Sequence, residues 1–435
     1  MAKSLPTRVR SGPTGRASDL TAGPSPLEQL RSLGRVRRTA ALVGPAFVAA
    51  VAYVDPGNFA TNVESGARFG YTLVWVVVAA NLVAMLVQYL SAKTGLATGR
   101  NLPELCRDHF PRPLSLVLWV QAEAVAMATD LAELVGAAVG LNLLFGVPLF
   151  PAGVIAAVVA FGILSLEQRG YRRFELAIIG LLGLVLLGFA YDLAVIGADA
   201  RGVAEGLVPG FAGTDSVLLA VGILGATVMP HVVYLHSALT QSRIPTRDDG
   251  ERRELLRFLR LDVGLALGAA GIVNLTMLVI AAALFNQTGR TGVDSIEAAH
   301  DGLDQLVGGG AALAFAVALL ASGLSSSSVG TYAGQVVMQG FAQRRIPLLL
   351  RRTATMAPAL AVLGAGLPPT STLVASQVVL SFGIPFALVP LILLTRRRDV
   401  MGALVNRTAT SVAATAVAAV VIVLNVVLLA TAFGA

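Results

Sequence analysis

A carboxylate and a carboxamide flank a Pro-Gly pair in the middle of the first apolar stretch of the chain. Asp55-Pro56-Gly57-Asn58 lies within a segment that runs from about residue 40 to residue 65. Proline and glycine interrupt a helix, and unwound backbone at membrane depth is tolerated only inside protein or beside a watery cavity. An ionisable residue at such a break is typical of a transporter that holds a cation there.

A second broken segment follows in the sixth apolar stretch, where Met229-Pro230-His231 comes directly after Gly225-Ala226-Thr227-Val228. Five stretches lie between the start of the first broken segment and the start of the second, so the second unit enters the membrane from the opposite side. This predicts two inverted five-helix repeats, at about 40–197 and 216–395, whose broken first helices meet at the midplane.

The composition predicts a polytopic membrane protein. Of 435 residues, 55% are hydrophobic and only 13% are charged, with a mean hydropathy of +0.76, whereas a soluble chain carries about a quarter charged residues. The single cysteine, Cys106, excludes an internal disulfide and a cysteine-rich metal site. We predict eleven spans, at about 40–65, 70–92, 114–144, 151–165, 174–197, 216–240, 262–285, 310–340, 354–366, 371–395 and 408–433.

The basic residues fall on one side of this topology. All but three of the 32 lysines and arginines, the exceptions being Arg68, Arg201 and Arg290, lie in alternate loops and span ends. This positive-inside pattern predicts a cytoplasmic N-terminus, an external C-terminus and a multi-pass protein of a plasma membrane. The net charge of +7 is therefore explained by the membrane topology and does not indicate nucleic-acid binding. Residues 1–39 are predicted to be a disordered basic tail, and residues 40–435 the transporter domain.

If the two breaks face each other, they bring together one carboxylate, one amide, one thioether and freed main-chain carbonyls. Oxygen donors alone suit a hard ion, but a thioether favours a transition metal. A borderline divalent cation such as Mn²⁺ or Fe²⁺ is the predicted substrate, with Cd²⁺ and Co²⁺ similar in chemistry; the alternative is that the methionine only fills the core. The predicted donors are Asp55, Asn58, Met229 and the carbonyls of Ala52 and Ala226, with Gln377 of the tenth span as a further ligand.

Further ionisable groups inside the apolar spans suggest a proton relay beside the metal. Three carboxylates in the third span recur at intervals that place them on one helix face. Two histidines follow the second break, and an Arg pair at the start of the ninth span is expected to pair with the inner two carboxylates. The alternative is a set of static ion pairs. The candidates are Asp55, Glu123, Asp130, Glu133, His231, His236, Arg351 and Arg352.

These residues resemble the Nramp family of proton-coupled divalent metal transporters, in particular its bacterial manganese transporters. Asp55 to Asn62 is similar to the family's first-helix motif, Met229-Pro230-His231 to its sixth-helix motif, and the stretch from Gly330-Thr331-Tyr332 to Arg351-Arg352-Thr353 to its eighth-to-ninth-helix signature. The resemblance implies an all-α LeuT-like fold with an eleventh helix outside the repeats. It implies the metal ligands and the proton route just described, alternating access, and residence in a bacterial inner membrane.

Other functions are disfavoured. A sodium-coupled amino-acid symporter shares the broken helices but is expected to lack the methionine, as are magnesium-transporting relatives. An intramembrane hydrolase built on Ser325 to Ser328 lacks a paired base, and a passive metal channel stays open as an alternative. We therefore expect no enzyme activity and no cofactor; the expected partners are the divalent metal, protons and the lipid bilayer, with no obligatory protein partner.

Overall fold

The computed structural model describes residues 25–168, 170–343 and 347–432, and these residues form helices and connecting loops with no strand among them. Among the described residues, nine helical segments are long and apolar enough to cross a membrane, and one of these, Pro56–Thr98, joins two spans. The ninth predicted span, the 17-residue helix Leu348–Gly364, is not among them. The helices of the eleven spans are Pro45–Ala50, Val51–Val54 and Pro56–Phe69; Val74–Thr98; Arg112–Phe145; Leu149–Gln168; Tyr171–Ile196; Thr214–Thr227 and Pro230–Gln241; Asp249–Ala281; Gly309–Ala342; Leu348–Gly364; Pro369–Thr395; and Thr408–Ala432.

Short helices precede or connect the spans. The seventh span ends in a π-helical turn at Ala282–Asn286, and 3₁₀ turns lie at Gly70–Leu73 and Gly402–Leu404. The remaining short helices are Pro26–Arg31, Arg35–Leu42, Leu102–His109, Ala200–Gly206, Ile296–Leu306 and Arg398–Met401.

The first, third, sixth, eighth and tenth spans pack around the two breaks. Small residues allow this close approach: a Cβ on Gly136 of the third span would lie 2.1 Å from Pro56, and one on Gly323 would lie 2.7 Å from the backbone of Ala137. Close contact between small residues is the usual way in which membrane helices pack. The spans around the first break are therefore packed closely through small residues.

The prediction of a disordered tail over residues 1–39 is wrong for its last part. Residues 1–24 lie outside the described residues, but two helices, Pro26–Arg31 and Arg35–Leu42, occupy the segment that follows. Ser25 caps the first of these through a capping box with Glu28, and Leu27 is fully buried against Leu42 and Leu255. The segment is ordered because it docks an apolar side chain on the start of the seventh span.

Candidate metal site

The first break forms where a helix ends and another begins at Asp55. The helix Pro45–Ala50 tightens into the 3₁₀ turn Val51–Val54, and Asp55 then adopts an extended conformation (φ −79°, ψ 168°). Asp55 Oδ1 accepts a hydrogen bond of 2.9 Å from the Asn58 backbone N–H, which makes Asp55 the N-cap of the next helix. Pro56 takes the first helical position, where it loses no helical hydrogen bond.

Two carbonyls next to this break are satisfied by side chains of other spans. Asn274 Nδ2 donates a 2.8 Å hydrogen bond to the Tyr53 carbonyl, and the Ser322 hydroxyl donates one to the Val54 carbonyl. Backbone groups at membrane depth need such partners. The seventh and eighth spans thereby stabilise the unwound conformation of the first.

The second break lies between Thr227 and Pro230. Val228 (φ −100°, ψ 85°) and Met229 (φ −80°, ψ 110°) leave the helical region, and Pro230 starts the next helix. Met229 is fully buried, in the same apolar cluster as Ala52 and Tyr53 of the first break. A thioether thus lies at an interruption of the helix, as the sequence predicts.

The Asn58 amide joins the two breaks. Asn58 Nδ2 donates to Asp55 Oδ1 at 2.6 Å and to the Ala226 carbonyl at 3.0 Å, while the Thr227 hydroxyl lies 3.5 Å from Asn58 Oδ1. A 180° rotation of the Asn58 side-chain amide would exchange its nitrogen and its oxygen. Three acceptor oxygens, from Asp55, Asn58 and Ala226, would then lie together. Such a group of oxygens repels itself unless a cation is present, so the arrangement has the chemistry of a cation site.

The tenth span reaches the same point. Gln377 Nε2 lies 3.4 Å from Asp55 Oδ2, and a Cβ on Gly57 would lie only 1.8 Å from the same nitrogen. Gly57 is therefore required for the glutamine to approach the carboxylate. Ala52, the remaining predicted donor, lies buried in the 3₁₀ turn just before the break.

The site has one ionisable donor. No group of three or more His, Cys, Asp or Glu side chains suited to a metal occurs in the described part of the chain. Asp55 is 1% exposed, and Asn58 and Met229 are fully buried. One carboxylate with amide, thioether and carbonyl donors, closed off from water, suits a cation that must bind and leave again.

His231, the first of the predicted proton-route residues, contacts the third span. His231 Nδ1 lies 3.1 Å from the Thr129 hydroxyl, and His231 Nε2 has no hydrogen-bond partner among the described residues. Thr129 precedes Asp130 on the third span. The structure thus brings the second break into contact with the span that carries the predicted relay.

Asp130 and Glu133 are both buried between helices. A Cβ on Gly330 of the eighth span would lie 2.7 Å from Glu133 Oε2, and neither Glu133 oxygen has a well-aligned hydrogen-bond donor among the described residues. Buried carboxylates that have no salt bridge are costly when ionised. These two groups are therefore suited to carry protons.

The expected ion pairs of Arg351 and Arg352 with Asp130 or Glu133 are not found. Arg351 instead forms a 2.7 Å salt bridge with Glu123, whose side chain is 20% exposed. Arg352 donates to the Thr331 hydroxyl at 2.9 Å and to the Ser327 hydroxyl at 3.2 Å. Adjacent residues on a helix point about 100° apart, so the two arginines face different spans.

His236 belongs to a different hydrogen-bonded chain. His236 Nδ1 lies 2.8 Å from Gln88 Oε1, and Gln88 Nε2 donates to the Tyr53 hydroxyl at 2.5 Å. Tyr53 lies two residues before Asp55. The histidine is therefore linked through Gln88 to the first break and not to the carboxylates of the third span.

A group of polar contacts was not predicted from the sequence. It lies at the basic end of the molecule, the end where most of the lysines and arginines are found. Asp262 of the seventh span accepts hydrogen bonds from the backbone N–H groups of Gly44 (3.0 Å) and Ala46 (2.9 Å). Glu175 of the fifth span forms a 3.0 Å salt bridge with Arg243, which follows the sixth span. These contacts, which we call the inner latch, hold the start of the first span in place. The sequence feature that could have revealed these contacts was a carboxylate inside an apolar span.

Comparison with known proteins identifies the family of the chain. The model of the family described as "Natural resistance-associated macrophage protein-like" matches residues 46–431. The divalent metal cation transporter MntH of Deinococcus radiodurans is 52% identical over 96% of this chain and 93% of its own length. The protein of the same name from Bacillus subtilis is 51% identical over 90% of this chain and 92% of its own length.

Solved structures give the same result. A mutant of the manganese transporter of Eremococcus coleocola superposes with a TM-score of 0.84 at 32% identity, covering 93% of this chain and 90% of that one. The nucleobase-cation symporter Mhp1 superposes with a TM-score of 0.61 at 16% identity, covering 89% of each chain, and shows the fold alone. Two broken spans around a buried one-carboxylate site, in this LeuT-like fold, define a membrane transporter and not an enzyme. The chain belongs to the Nramp family.

Proposed function

We propose that the chain imports divalent transition metal ions, chiefly Mn²⁺ and also Fe²⁺, across a bacterial inner membrane. The observation that carries the proposal is the Asn58 amide, which lies within 3.0 Å of both the Asp55 carboxylate and the Ala226 carbonyl, beside a break that contains Met229. Oxygen and sulfur donors together favour a borderline metal over Ca²⁺ or Mg²⁺. Relatives named as divalent metal cation transporters support the same substrate class.

Transport proceeds by alternating access. The metal sheds water, displaces the internal hydrogen bonds of Asn58, and binds Asp55, Asn58, Met229 and the Ala226 carbonyl. The buried position of these donors corresponds to a closed stage of the cycle. Release toward the cytoplasm requires the start of the first span to move, which breaks the inner latch. Gln377 and the Ala52 carbonyl complete the coordination in particular stages.

Protons enter at Asp55, where they compete with the metal, and move along His231, Asp130 and Glu133. Arg352 lies beside this path through the eighth span, whereas the ion pair of Glu123 with Arg351 is a structural support at its end. In this proposal the N-terminus is cytoplasmic and the C-terminus external, as the distribution of lysine and arginine predicts.

Uptake into proteoliposomes tests the substrate assignment. The parent is expected to take up Mn²⁺ and exclude Ca²⁺, and Met229→Ala is expected to admit Ca²⁺ because the soft donor is lost. Met356→Ala is the matched control, since Met356 is a buried methionine in a separate cluster. Ca²⁺ uptake by the parent equal to that of Mn²⁺ would overturn the assignment.

A further inference from the structure

A cavity of about 310 Å³ lies at the basic end of the molecule, away from the metal site. The second span, the first turns of the seventh span and the loop before the eleventh span surround it. Its lining includes five cationic side chains and no carboxylate: Lys93, Arg253, Arg257, Arg260 and Arg407.

None of the five cations forms a salt bridge in the described part of the chain. The salt bridges of the seventh span's first turns involve Arg247 and Arg252, neither of which lines the cavity. The carboxylate of Glu254, which lies between two of the cavity arginines in sequence, is held by Arg31. The cavity lining therefore carries an excess of positive charge, which attracts an anion.

Lys93 is the most buried of these cations. It is only 3% exposed, its ammonium group donates to the neutral Asn406 side chain, and it lies 5.5 Å from the ring centroid of Tyr89. Arg260 contacts the same tyrosine, with a hydrogen bond of 3.1 Å to its hydroxyl. A buried charge without an opposite charge is costly, so an anion in this cavity would stabilise Lys93.

An apolar strip leads from this cavity along the second span. Leu82, Leu86, Tyr89 and Lys93 follow one another at intervals of four, three and four, which places them on one helix face. Leu82 is 59% exposed and lies about 16 Å from Lys93 along the helix. That distance matches much of the length of an acyl chain.

We propose that the cavity binds the phosphate of an anionic phospholipid, with an acyl chain along the Leu82–Lys93 face. Basic pockets between membrane helices at the cytoplasmic side bind such head groups. A free phosphate would use the cations but not the apolar strip. The chain's own first 24 residues are a poor occupant, because they carry four basic residues and one acidic residue. The bound lipid bridges the second and seventh spans.

Lipid binding to the purified full-length protein in neutral detergent tests the proposal. Phosphatidylglycerol is expected to raise the thermal unfolding midpoint and to stay bound in native mass spectrometry, whereas phosphatidylcholine does neither. The triple variant Arg253→Gln, Arg257→Gln and Arg407→Gln is expected to lower the affinity for phosphatidylglycerol roughly 100-fold, at about fivefold for each charge removed.

The matched control removes three charges from the same basic end outside the cavity, with Arg173→Gln, Arg396→Gln and Arg398→Gln, and is expected to keep the parent affinity within about twofold. Equal loss in both triple variants would overturn the proposal, because the effect would then belong to the whole basic face. Full stabilisation by inorganic phosphate or glycerol phosphate alone would overturn it in favour of a soluble anion. Equal binding of phosphatidylcholine would also overturn it.

Discussion

Glu175 and Arg243 form a 3.0 Å salt bridge that closes over the backbone at the start of the first span. The same arginine lies within hydrogen-bonding distance of the Ala41 and Val43 carbonyls, and a Cβ on Gly44 would lie 1.7 Å from Glu175 Oε1. A side chain of the fifth span and one beyond the sixth span thus hold the same few residues. Movement of the first span must separate them.

We predict that Arg243→Gln opens this end of the protein. Reaction of a cysteine at position 49 with a water-soluble maleimide is expected to become several-fold faster, because Ala49 is fully buried behind the inner latch. Cys106→Ser supplies the background, since Cys106 is the single cysteine.

Arg172→Gln is the control for this experiment, since Arg172 contacts the same glutamate from an exposed position. Its labelling rate is expected to stay near that of the parent. An unchanged rate in Arg243→Gln would show that the latch does not limit access.

We predict that Gly57→Ala reduces Mn²⁺ uptake at least tenfold. The added methyl group would lie 1.8 Å from Gln377 Nε2 and would push the Gln377 side-chain amide away from Asp55. Gly264→Ala is the matched control, because a Cβ there meets nothing within 4 Å. Uptake in proteoliposomes measures both, and equal rates for Gly57→Ala and the parent would contradict a role for the close approach of Gln377.

We predict that Glu133→Gln and Glu123→Gln have different effects. Glu133→Gln is expected to keep Mn²⁺ binding and to lose metal-stimulated proton influx, because it removes a buried titrating group. Glu123→Gln is expected to keep proton influx and to lower the free energy of unfolding by about 2 kcal/mol, because it leaves the Arg351 guanidinium without its partner.

Internal acidification, read with a pH-sensitive dye in the liposomes, separates the two variants. The companion variant Arg351→Gln is expected to resemble Glu123→Gln, since it breaks the same salt bridge. Loss of proton influx in Glu123→Gln but not in Glu133→Gln would reverse the assignment.

We predict that Leu27→Ala lowers the free energy of unfolding by about 3 kcal/mol. Leu27 is fully buried against the seventh span, whereas Leu33 is 39% exposed. Leu33→Ala is therefore the control, and its effect is expected to be small. Thermal unfolding in detergent compares them. Equal midpoints would show that the N-terminal helices contribute little to stability.

Proline, glycine and charge placement were enough to predict the two breaks and their meeting. Asp55-Pro56-Gly57 and Met229-Pro230 each interrupt an apolar run, and the fold brings Asn58 to Ala226 as the inverted repeat requires. The docked N-terminal helices could have been found too. Ser25-Pro26-Leu27-Glu28 has the pattern of a capping box, but the polar composition around it favoured disorder.

The sequence could not predict which side chains pair with one another across helices. Glu123 and Asp130 lie about 10 Å apart along one helix. Which of them meets Arg351 is decided by the height at which the ninth span begins, measured along the third span. That height depends on the packing of other spans. Asp262 was missed for a similar reason, since its partners are backbone N–H groups more than 200 residues away.

The single carboxylate at the metal site fixes how the proposed cycle responds to voltage. With Mn²⁺ on Asp55 the site carries one net positive charge, and with an empty, ionised Asp55 it carries one net negative charge. An inside-negative potential therefore favours both the inward step of the loaded protein and the outward return of the empty one, each by up to about 2.3 kcal/mol per 100 mV. A second carboxylate would have made the loaded site neutral and its inward step indifferent to voltage.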